Sequence, residues 1–212
     1  MNSNLPVRIL IADDHPLLRA GIHTSVDAHP EMIVVGEAET GDETLSICDK
    51  TQVDILLLDL KMPGRKSVEI LESLKQSHPE IKVIILTAYD DEIYLRTLLP
   101  FNVCGYVLKD EAPGNLVHAI TLVKNGKQWF SPQISKKYSE LQQKSNPILL
   151  TDREIQVLSL IKTGMTFDRI AEELMITHRT VRYHIEKITQ KLDAKNRLEA
   201  LAKAIELGIL EK

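Results

Sequence analysis

The chain has 212 residues, of which 43% are hydrophobic, 26% charged and 4% aromatic, as is typical of a globular protein with one large or two small domains. This composition excludes collagen, coiled-coil rods and disordered tails. The formal net charge of −4 hides an asymmetry, because residues 1–146 have 15 basic and 20 acidic side chains and residues 147–212 have 11 and 10. Apolar runs such as residues 55–58 are far shorter than the roughly 20 residues that span a bilayer, so no membrane function is expected.

Cysteine usage indicates the cellular compartment. Cys48 and Cys104 are the two cysteines, and neither belongs to a CxxC pair. No hydrophobic leader precedes the first charged residues. We therefore expect a cytoplasmic protein with reduced thiols, with a redox switch as the minor alternative.

The first 125 residues alternate short aliphatic runs with amphipathic helical patterns. The predicted strands are residues 7–12, 32–37, 53–59, 81–87 and 103–108. Runs such as Val83-Ile84-Ile85-Leu86 are apolar on both faces, which is typical of parallel strands covered by helices on both sides. Five such units predict an α/β domain with a five-stranded, doubly wound parallel sheet, whose functional crevice lies at the carboxyl ends of its strands.

Polar side chains lie at, or directly after, the carboxyl ends of four of the predicted strands of this sheet. They are Asp13, Asp14, Asp59, Thr87 and Lys109. Three carboxylates at one edge would repel by roughly 4 kcal/mol per pair at about 4 Å and an effective dielectric near 20, so positive charge must lie among them. Lys109 supplies one charge, and Mg²⁺, a hard cation that prefers oxygen ligands, suits the remainder. Such a site can accept a phosphoryl group. Taken singly each residue has a plainer interpretation, and Asp14 could simply cap a helix.

Four motifs of this domain resemble those of the receiver domains of two-component response regulators. They are Ile11-Ala12-Asp13-Asp14-His15, Leu57-Leu58-Asp59-Leu60-Lys61-Met62-Pro63-Gly64, Leu86-Thr87-Ala88 and Gly105-Tyr106-Val107-Leu108-Lys109-Asp110. The resemblance implies a flavodoxin-like fold and makes Asp59 the phospho-acceptor of a sensor histidine kinase. The implied Mg²⁺ ligands are Asp13, Asp14, Asp59 and the backbone carbonyl of Lys61. The implied phosphoryl-binding and switch residues are Thr87, Lys109 and Tyr106, of which Tyr106 changes rotamer when Thr87 moves.

Two segments depart from the receiver pattern. Arg65-Lys66-Ser67 follows Pro63-Gly64 where Met-Asp-Gly is usual, which alters the charge beside the site. Leu99-Pro100-Phe101-Asn102 replaces a small, Ala/Gly-rich stretch. Pro100 is predicted to disturb the last turn of the fourth helix, and Asn102 to adopt the left-handed conformation of the missing glycine.

The middle of the chain, residues 126–147, is rich in polar and turn-forming residues and predicts an interdomain linker that is partly helical. This places the first domain at residues 5–125 and the second at residues 148–212. The second is predicted to be all helical. Thr151 and Glu154 form a capping box at the start of its first helix, and further helices are predicted over residues 166–174, 177–192 and 196–207.

The third of these four helices has an apolar stripe and a polar face. The stripe consists of Val181, Ile185, Ile188 and Leu192. A short helix precedes this one at the spacing of a helix-turn-helix, which would let the polar face enter a major groove. Arg182 could read a guanine edge and Glu186 a cytosine amino group. The predicted DNA contacts are Arg179, Arg182, Tyr183, Glu186, Lys187, Lys191, Lys195 and Arg197. An ordinary four-helix domain with a salt-bridged surface helix is the alternative.

The motifs of this second domain resemble the LuxR/NarL (FixJ) type of helix-turn-helix. They are residues 150–158, Ile170-Ala171-Glu172-Glu173-Leu174, residues 179–184, and Lys191-Leu192 followed by Asn196-Arg197. Phe167-Asp168 stands where Asn-Lys is usual, and Met175 replaces the turn glycine. The resemblance implies that the last helix, residues 196–207, is a dimer surface on DNA.

The two resemblances together imply a DNA-binding response regulator, in which phosphorylation of Asp59 controls dimerisation and promoter binding. The implied partners are a sensor histidine kinase, promoter DNA and a second copy of the chain, with RNA polymerase as a further candidate. An aspartyl-phosphate hydrolase would need an acid two residues after Asp59, where this chain has Lys61. We therefore do not expect an enzyme, and the only chemistry expected is phosphoryl acceptance and slow autodephosphorylation. A receiver-based protein-interaction module with weakened or lost DNA binding is the remaining alternative.

Overall fold

The computed structural model describes residues 5–88, 92–143 and 150–210. The chain divides into two compact units, residues 1–145 and 146–212. The first is an α/β unit and the second is built from helices.

Within the described residues, the first unit contains a parallel sheet of six strands. They are β1 (Val7–Ala12), β2 (Met32–Ala38), β3 (Ile55–Leu58), β4 (Lys82–Thr87), β5 (Gly105–Leu108) and β6 (Trp129–Phe130), in the order β2-β1-β3-β4-β5-β6. The helices are α1 (Pro16–Asp27), α2 (Gly41–Lys50), α3 (Ser67–Ser77), α4 (Glu92–Leu98), α5 (Ala112–Lys124) and α6 (Pro132–Gln143). The strand order reverses between β1 and β3, and ligands of such sheets bind at the carboxyl ends beside that point.

The central strands are buried on both faces, as their continuous apolar runs predict. Every residue of β3 is buried, and so is every residue of β5. Helices α1 and α5 pack together against one face of the sheet, where Ile22, Val26 and Leu116 meet the core. Burying a side chain of this size contributes about 1.5–3 kcal/mol to the free energy of folding. The apolar core therefore stabilises the sheet and, with it, the positions of the strand ends.

Residues 129–143 differ from the sequence prediction, which assigned them to a linker and counted five strands. Here β6 pairs with β5, and α6 packs against α4. Ile134 is fully buried, Tyr138 is 5% exposed, and the Tyr138 ring stacks on Phe130 at 4.3 Å. The strand is only two residues long and α6 has few apolar side chains, so neither gave a periodic signal. The end of the predicted linker, residues 144–147, lies outside the described residues.

The segment after α4 that departs from the receiver pattern has the predicted conformation. Helix α4 ends at Leu98 and a 3₁₀ turn, Leu99–Phe101, contains Pro100. Asn102 has a φ of 48°, the left-handed conformation that glycine and asparagine adopt most readily. The prediction for this segment is therefore confirmed.

Among the described residues, the second unit contains four helices. They are α7 (Asp152–Lys162), α8 (Phe167–Glu173), α9 (His178–Lys191) and α10 (Arg197–Glu206). The capping box is confirmed, because the Thr151 side chain accepts from the Glu154 amide and Glu154 accepts from the Thr151 amide. Helix α9 contacts the other three helices, and its Val181, Ile188 and Leu192 are buried as predicted, whereas Ile185 is half-buried. Met175 takes the left-handed turn position with a φ of 51°.

In the part of the chain that the structure describes, no helix has the length and apolar character needed to cross a bilayer.

Both cysteines are unpaired. Burial raises the pKa of the Cys48 thiol to about 11, which leaves it protonated and poorly nucleophilic at neutral pH.

Candidate functional site

Backbone hydrogen bonds between strand ends bring the predicted acidic residues together. The Asp59 amide donates to the carbonyl of Ala12 at 2.9 Å, and the Lys109 amide donates to the carbonyl of Thr87 at 2.9 Å. The ends of β1 and β3 are therefore aligned with each other, and so are the ends of β4 and β5. The sheet gathers Asp13, Asp59 and Lys109 at one edge, where the strand order reverses.

The Lys109 ammonium lies between two buried carboxylates. Its Nζ atom is 2.8 Å from Oδ2 of Asp13 and 2.7 Å from Oδ2 of Asp59. Burial raises the pKa of Asp59, although Lys109 opposes that shift. Burial would also lower the pKa of Lys109, but the hydrogen bonds to Asp13 and Asp59 outweigh it and raise that pKa. The ammonium is thus kept in its charged form beside Asp59.

The acidic residues of this edge can hold a metal ion. Asp13, Asp14, His15 and Asp59 each offer one ligand atom, and these atoms lie within 4.8 Å of one another. Oδ1 of Asp14 is buried, and no hydrogen bond from a described residue satisfies it, although Nδ1 of His15 lies 2.8 Å away. A carboxylate-rich set with an unsatisfied oxygen is chemically suited to a hard divalent cation.

The predicted switch residues lie on two neighbouring strands of the sheet. Thr87 and Tyr106 are both fully buried, Thr87 at the end of β4 and Tyr106 in β5. The backbone of Tyr106 is tied to the segment that was predicted as linker, because the Ser131 amide donates to its carbonyl at 2.9 Å. Ser131 also accepts from the Leu108 amide through its hydroxyl at 3.2 Å. The end of β5 is thereby hydrogen-bonded to Ser131, the residue that follows β6.

The loop after β3 pairs one of its extra positive charges with a carboxylate outside the acidic cluster. Nε of Arg65 lies 2.9 Å from Oδ1 of Asp42 on α2. Lys66 precedes the first residue of α3. Of the predicted metal ligands in this loop, Lys61 donates its amide to Oδ1 of Asp59 at 3.3 Å, which orients the carboxylate.

Arg19 supports the first acidic residue, a role that the sequence pattern did not predict. Arg19 is 8% exposed, and its guanidinium donates to the carbonyl of Asp13 at 2.7 Å. It is also paired with Glu37 and Glu39. The signal was present, because Arg19 lies one helical turn before Ile22 on the buried stripe of α1.

The second candidate site is the solvent-facing side of α9. Arg179, Arg182, Tyr183 and Glu186 are exposed and Lys187 is half-buried. Nζ of Lys187 lies 5.8 Å from the centre of the Tyr183 ring. Neither Arg179 nor Arg182 forms an ion pair with another described residue. This face combines unneutralised positive charge with an exposed aromatic ring, as nucleic-acid-binding helices do.

Lys191 was predicted to contact DNA, but here it has a structural partner. Its Nζ atom lies 2.6 Å from Oε2 of Glu154, whose side chain is only 5% exposed. Burial would raise the pKa of Glu154, but the hydrogen bonds from Lys191 and Thr151 outweigh it and lower that pKa. Lys191 therefore joins the end of α9 to the start of α7.

We expect Lys191→Met to destabilise the second unit by about 1–2 kcal/mol at neutral pH, because a buried carboxylate loses its charged partner. The cost is limited because a third of the lysine side chain is exposed to solvent. The matched variant Lys187→Met should change stability by less than about 0.5 kcal/mol. Native-state hydrogen exchange at the buried amides of Val157 and Leu158 in the full chain measures both. Equal protection in the two variants would contradict the structural role.

The same ion pair predicts a pH dependence. Since folding lowers the pKa of Glu154, its stabilising contribution is complete above its unfolded value of about 4.3 and is lost as the pH falls through the lower folded value. Glu154→Gln should therefore remove part of the acid sensitivity of hydrogen exchange in α7. An unchanged acid profile would rule out this source of stability.

Three side chains that begin neighbouring helices meet on the second unit. Phe167 is the first residue of α8, His178 of α9 and Arg197 of α10. The guanidinium carbon of Arg197 lies 4.9 Å from the centre of the Phe167 ring. The ring centres of Phe167 and His178 are 5.7 Å apart. Lys195, another predicted DNA contact, is exposed in the preceding turn.

Comparison with known protein families matches both units. A family described as response regulator receiver domain matches residues 9–121. A second, described as bacterial regulatory proteins of the luxR family, matches residues 149–204. Each match covers one of the two candidate sites.

Individual relatives match over nearly the whole chain. Transcriptional regulatory protein DesR of Bacillus subtilis is 36% identical over 202 residues, which cover 95% of this chain and 98% of DesR. Nitrate/nitrite response regulator protein NarL of Escherichia coli is 31% identical over 206 residues, covering 94% and 95%. A solved structure of RcsB from Salmonella enterica serovar Typhimurium, bound to a promoter in the presence of the phosphomimetic BeF₃⁻, has a TM-score of 0.75 at 26% identity and covers 95% and 98%.

Proposed function

We infer the function from the family to which this chain belongs, the response regulators that join a receiver domain to a luxR-family helix-turn-helix domain. It is a DNA-binding two-component regulator of transcription of the NarL and RcsB type, and this family is not one of enzymes. To perform this function, we propose, Asp59 accepts a phosphoryl group and the face of α9 reads promoter DNA. The proposal rests on the position of the Lys109 ammonium, which forms ion pairs with both Asp13 and Asp59.

In the proposed first step, a carboxylate oxygen of Asp59 attacks the phosphorus of a phosphohistidine on a sensor kinase. An oxygen–phosphorus bond forms, the nitrogen–phosphorus bond breaks, and the electron pair leaves with the imidazole, which takes up a proton. Mg²⁺ held by Asp13, Asp14, Asp59 and the carbonyl of Lys61 would neutralise phosphoryl charge. Lys109 supplies a fixed positive charge next to the acceptor oxygen and donates to the phosphoryl group.

In the proposed second step, the new charge of about −1.5 to −2 rearranges the groups around it. The Thr87 hydroxyl and the Lys109 ammonium gain hydrogen bonds if they move towards the phosphoryl oxygens. Both residues adjoin β5, and Tyr106 takes up the space that Thr87 leaves. The Ser131 contacts to Tyr106 and Leu108 support transmission from there to β6 and α6.

In the proposed output step, α9 enters the major groove of promoter DNA. Arg182 and Glu186 contact base edges, and Arg179, Tyr183, Lys187, Lys195 and Arg197 contact the backbone. Lys191, which also fixes α9 on α7, contacts the backbone with the exposed part of its side chain. The RcsB relative was solved bound to a promoter, and another RcsB structure contains two dimers on two DNAs. By likeness we propose a homodimer of this chain, with α10 as dimer surface and RNA polymerase as a further partner. DNA as the target implies the cytoplasm.

The DNA-binding part of the proposal is tested by measuring the affinity for a promoter fragment across salt concentrations. Each phosphate contact should contribute about −0.9 to the slope of log K against log[salt]. Arg182→Ala should cost about 1–3 kcal/mol of binding free energy, whereas Lys75→Ala on α3, which also removes one exposed positive charge, should leave affinity unchanged. A flat salt response would refute DNA binding and favour the protein-interaction module.

A further inference from the structure

The contact between Arg197 and Phe167 has an arrangement suited to binding an anion. Arg197 is exposed, and within the described part of the chain it has no carboxylate partner. The nearby carboxylate of Asp168 lies 3.9 Å from Nε2 of His178 instead. A guanidinium that stacks on an aromatic ring keeps its in-plane N–H donors available for a carboxylate or phosphate. The Arg197 donors can therefore still bind a ligand.

The position of this contact relates Arg197 to the DNA-reading helix. The Phe167 ring touches both Arg197 and His178, and His178 is the first residue of α9. Recognition helices of this kind contact bases mainly through their N-terminal residues. Arg197, although it lies on α10, thus contacts the same ring as the first residue of α9.

From this geometry we infer that Phe167 is a positioning residue for DNA binding, which holds the Arg197 side chain against a phosphate beside the start of α9. The inference rests on the proposed function. A free arginine side chain loses rotamer freedom when it is immobilised. Stacking on Phe167 removes part of that freedom before DNA arrives, so less is lost on binding.

The test compares four variants of the full-length chain on a duplex that the wild-type chain selects from a randomised pool. The variants are Phe167→Leu, Phe167→Tyr, Arg197→Ala and the double variant F167L/R197A. Leu keeps the apolar contact but removes the ring, so we expect Phe167→Leu to weaken binding about 2- to 5-fold. Tyr keeps the ring and should retain wild-type affinity. Arg197→Ala should weaken binding and reduce the salt slope by about 1.

The double variant separates positioning from packing. If Phe167 acts through Arg197, F167L/R197A binds no more weakly than Arg197→Ala alone, because the two changes remove the same contact. If Phe167→Leu weakens binding equally in both backgrounds, or if Phe167→Leu binds like wild type, the inference is overturned while the proposed function stands. If the wild-type chain itself selects no duplex, the proposed function fails and the inference fails with it. Equal circular dichroism spectra of the variants show that each is folded.

Discussion

Asp59→Asn is expected to abolish phosphorylation of this chain. The amide has the shape of the carboxylate but lacks the nucleophilic oxygen, so no acyl phosphate can form. Labelled acetyl phosphate or a phosphorylated histidine kinase should transfer label to the wild-type chain and none to this variant. The loss should be complete, because the phosphoryl group has no second acceptor in the proposed mechanism.

Asp110→Asn is the matched control for this experiment. Asp110 is exposed and follows Lys109 directly, so its replacement removes a carboxylate near the site without touching the cluster. It should retain the label. Label on Asp59→Asn at the wild-type level would contradict the assignment of the acceptor, and loss of label from Asp110→Asn would show that the effect is one of charge alone.

Ile134→Ala is expected to destabilise the first unit by about 2–5 kcal/mol. Ile134 lies on α6 and is fully buried, and truncating a buried isoleucine removes its transfer free energy and leaves a cavity. The chain has a single tryptophan, Trp129 in β6, so urea unfolding followed by its fluorescence reports on this unit.

Ile33→Ala on the edge strand β2 makes the same truncation at a position that is 45% exposed. It should cost no more than about 1 kcal/mol. A similar small cost for Ile134→Ala would mean that residues 129–143 contribute little to the receiver unit and behave as the linker that the sequence predicts.

The sequence predicts the acidic site of the first unit better than it predicts the structure of residues 129–143. The convergence of Asp13, Asp59 and Lys109 followed from strand ends alone, since parallel strands share one carboxyl edge. The burial of Ile134 and Tyr138 did not, because two apolar residues in a polar helix make a weak pattern. Their burial comes from contacts such as those of Tyr138 with Phe130 and of α6 with α4, which exist only in the folded unit.

The same limit applies to the second site. The exposed positions of Arg179 and Arg182 followed from the helical spacing of α9. The use of Lys191 by Glu154 and the stacking of Arg197 on Phe167 join residues 37 and 30 positions apart in sequence, and no local pattern connects them. A basic residue near a recognition helix is therefore predicted equally well as a DNA contact or as a structural partner.

We propose that phosphorylation of Asp59 controls DNA binding, and this is tested directly by the affinity of the full-length chain for a promoter fragment before and after treatment with acetyl phosphate. A switch of ordinary strength couples two such events by about 5- to 150-fold. We predict that acetyl phosphate tightens binding of the wild-type chain within that range and leaves Asp59→Asn unchanged. An unaltered affinity of the wild-type chain, or equal tightening of Asp59→Asn, would contradict the claim.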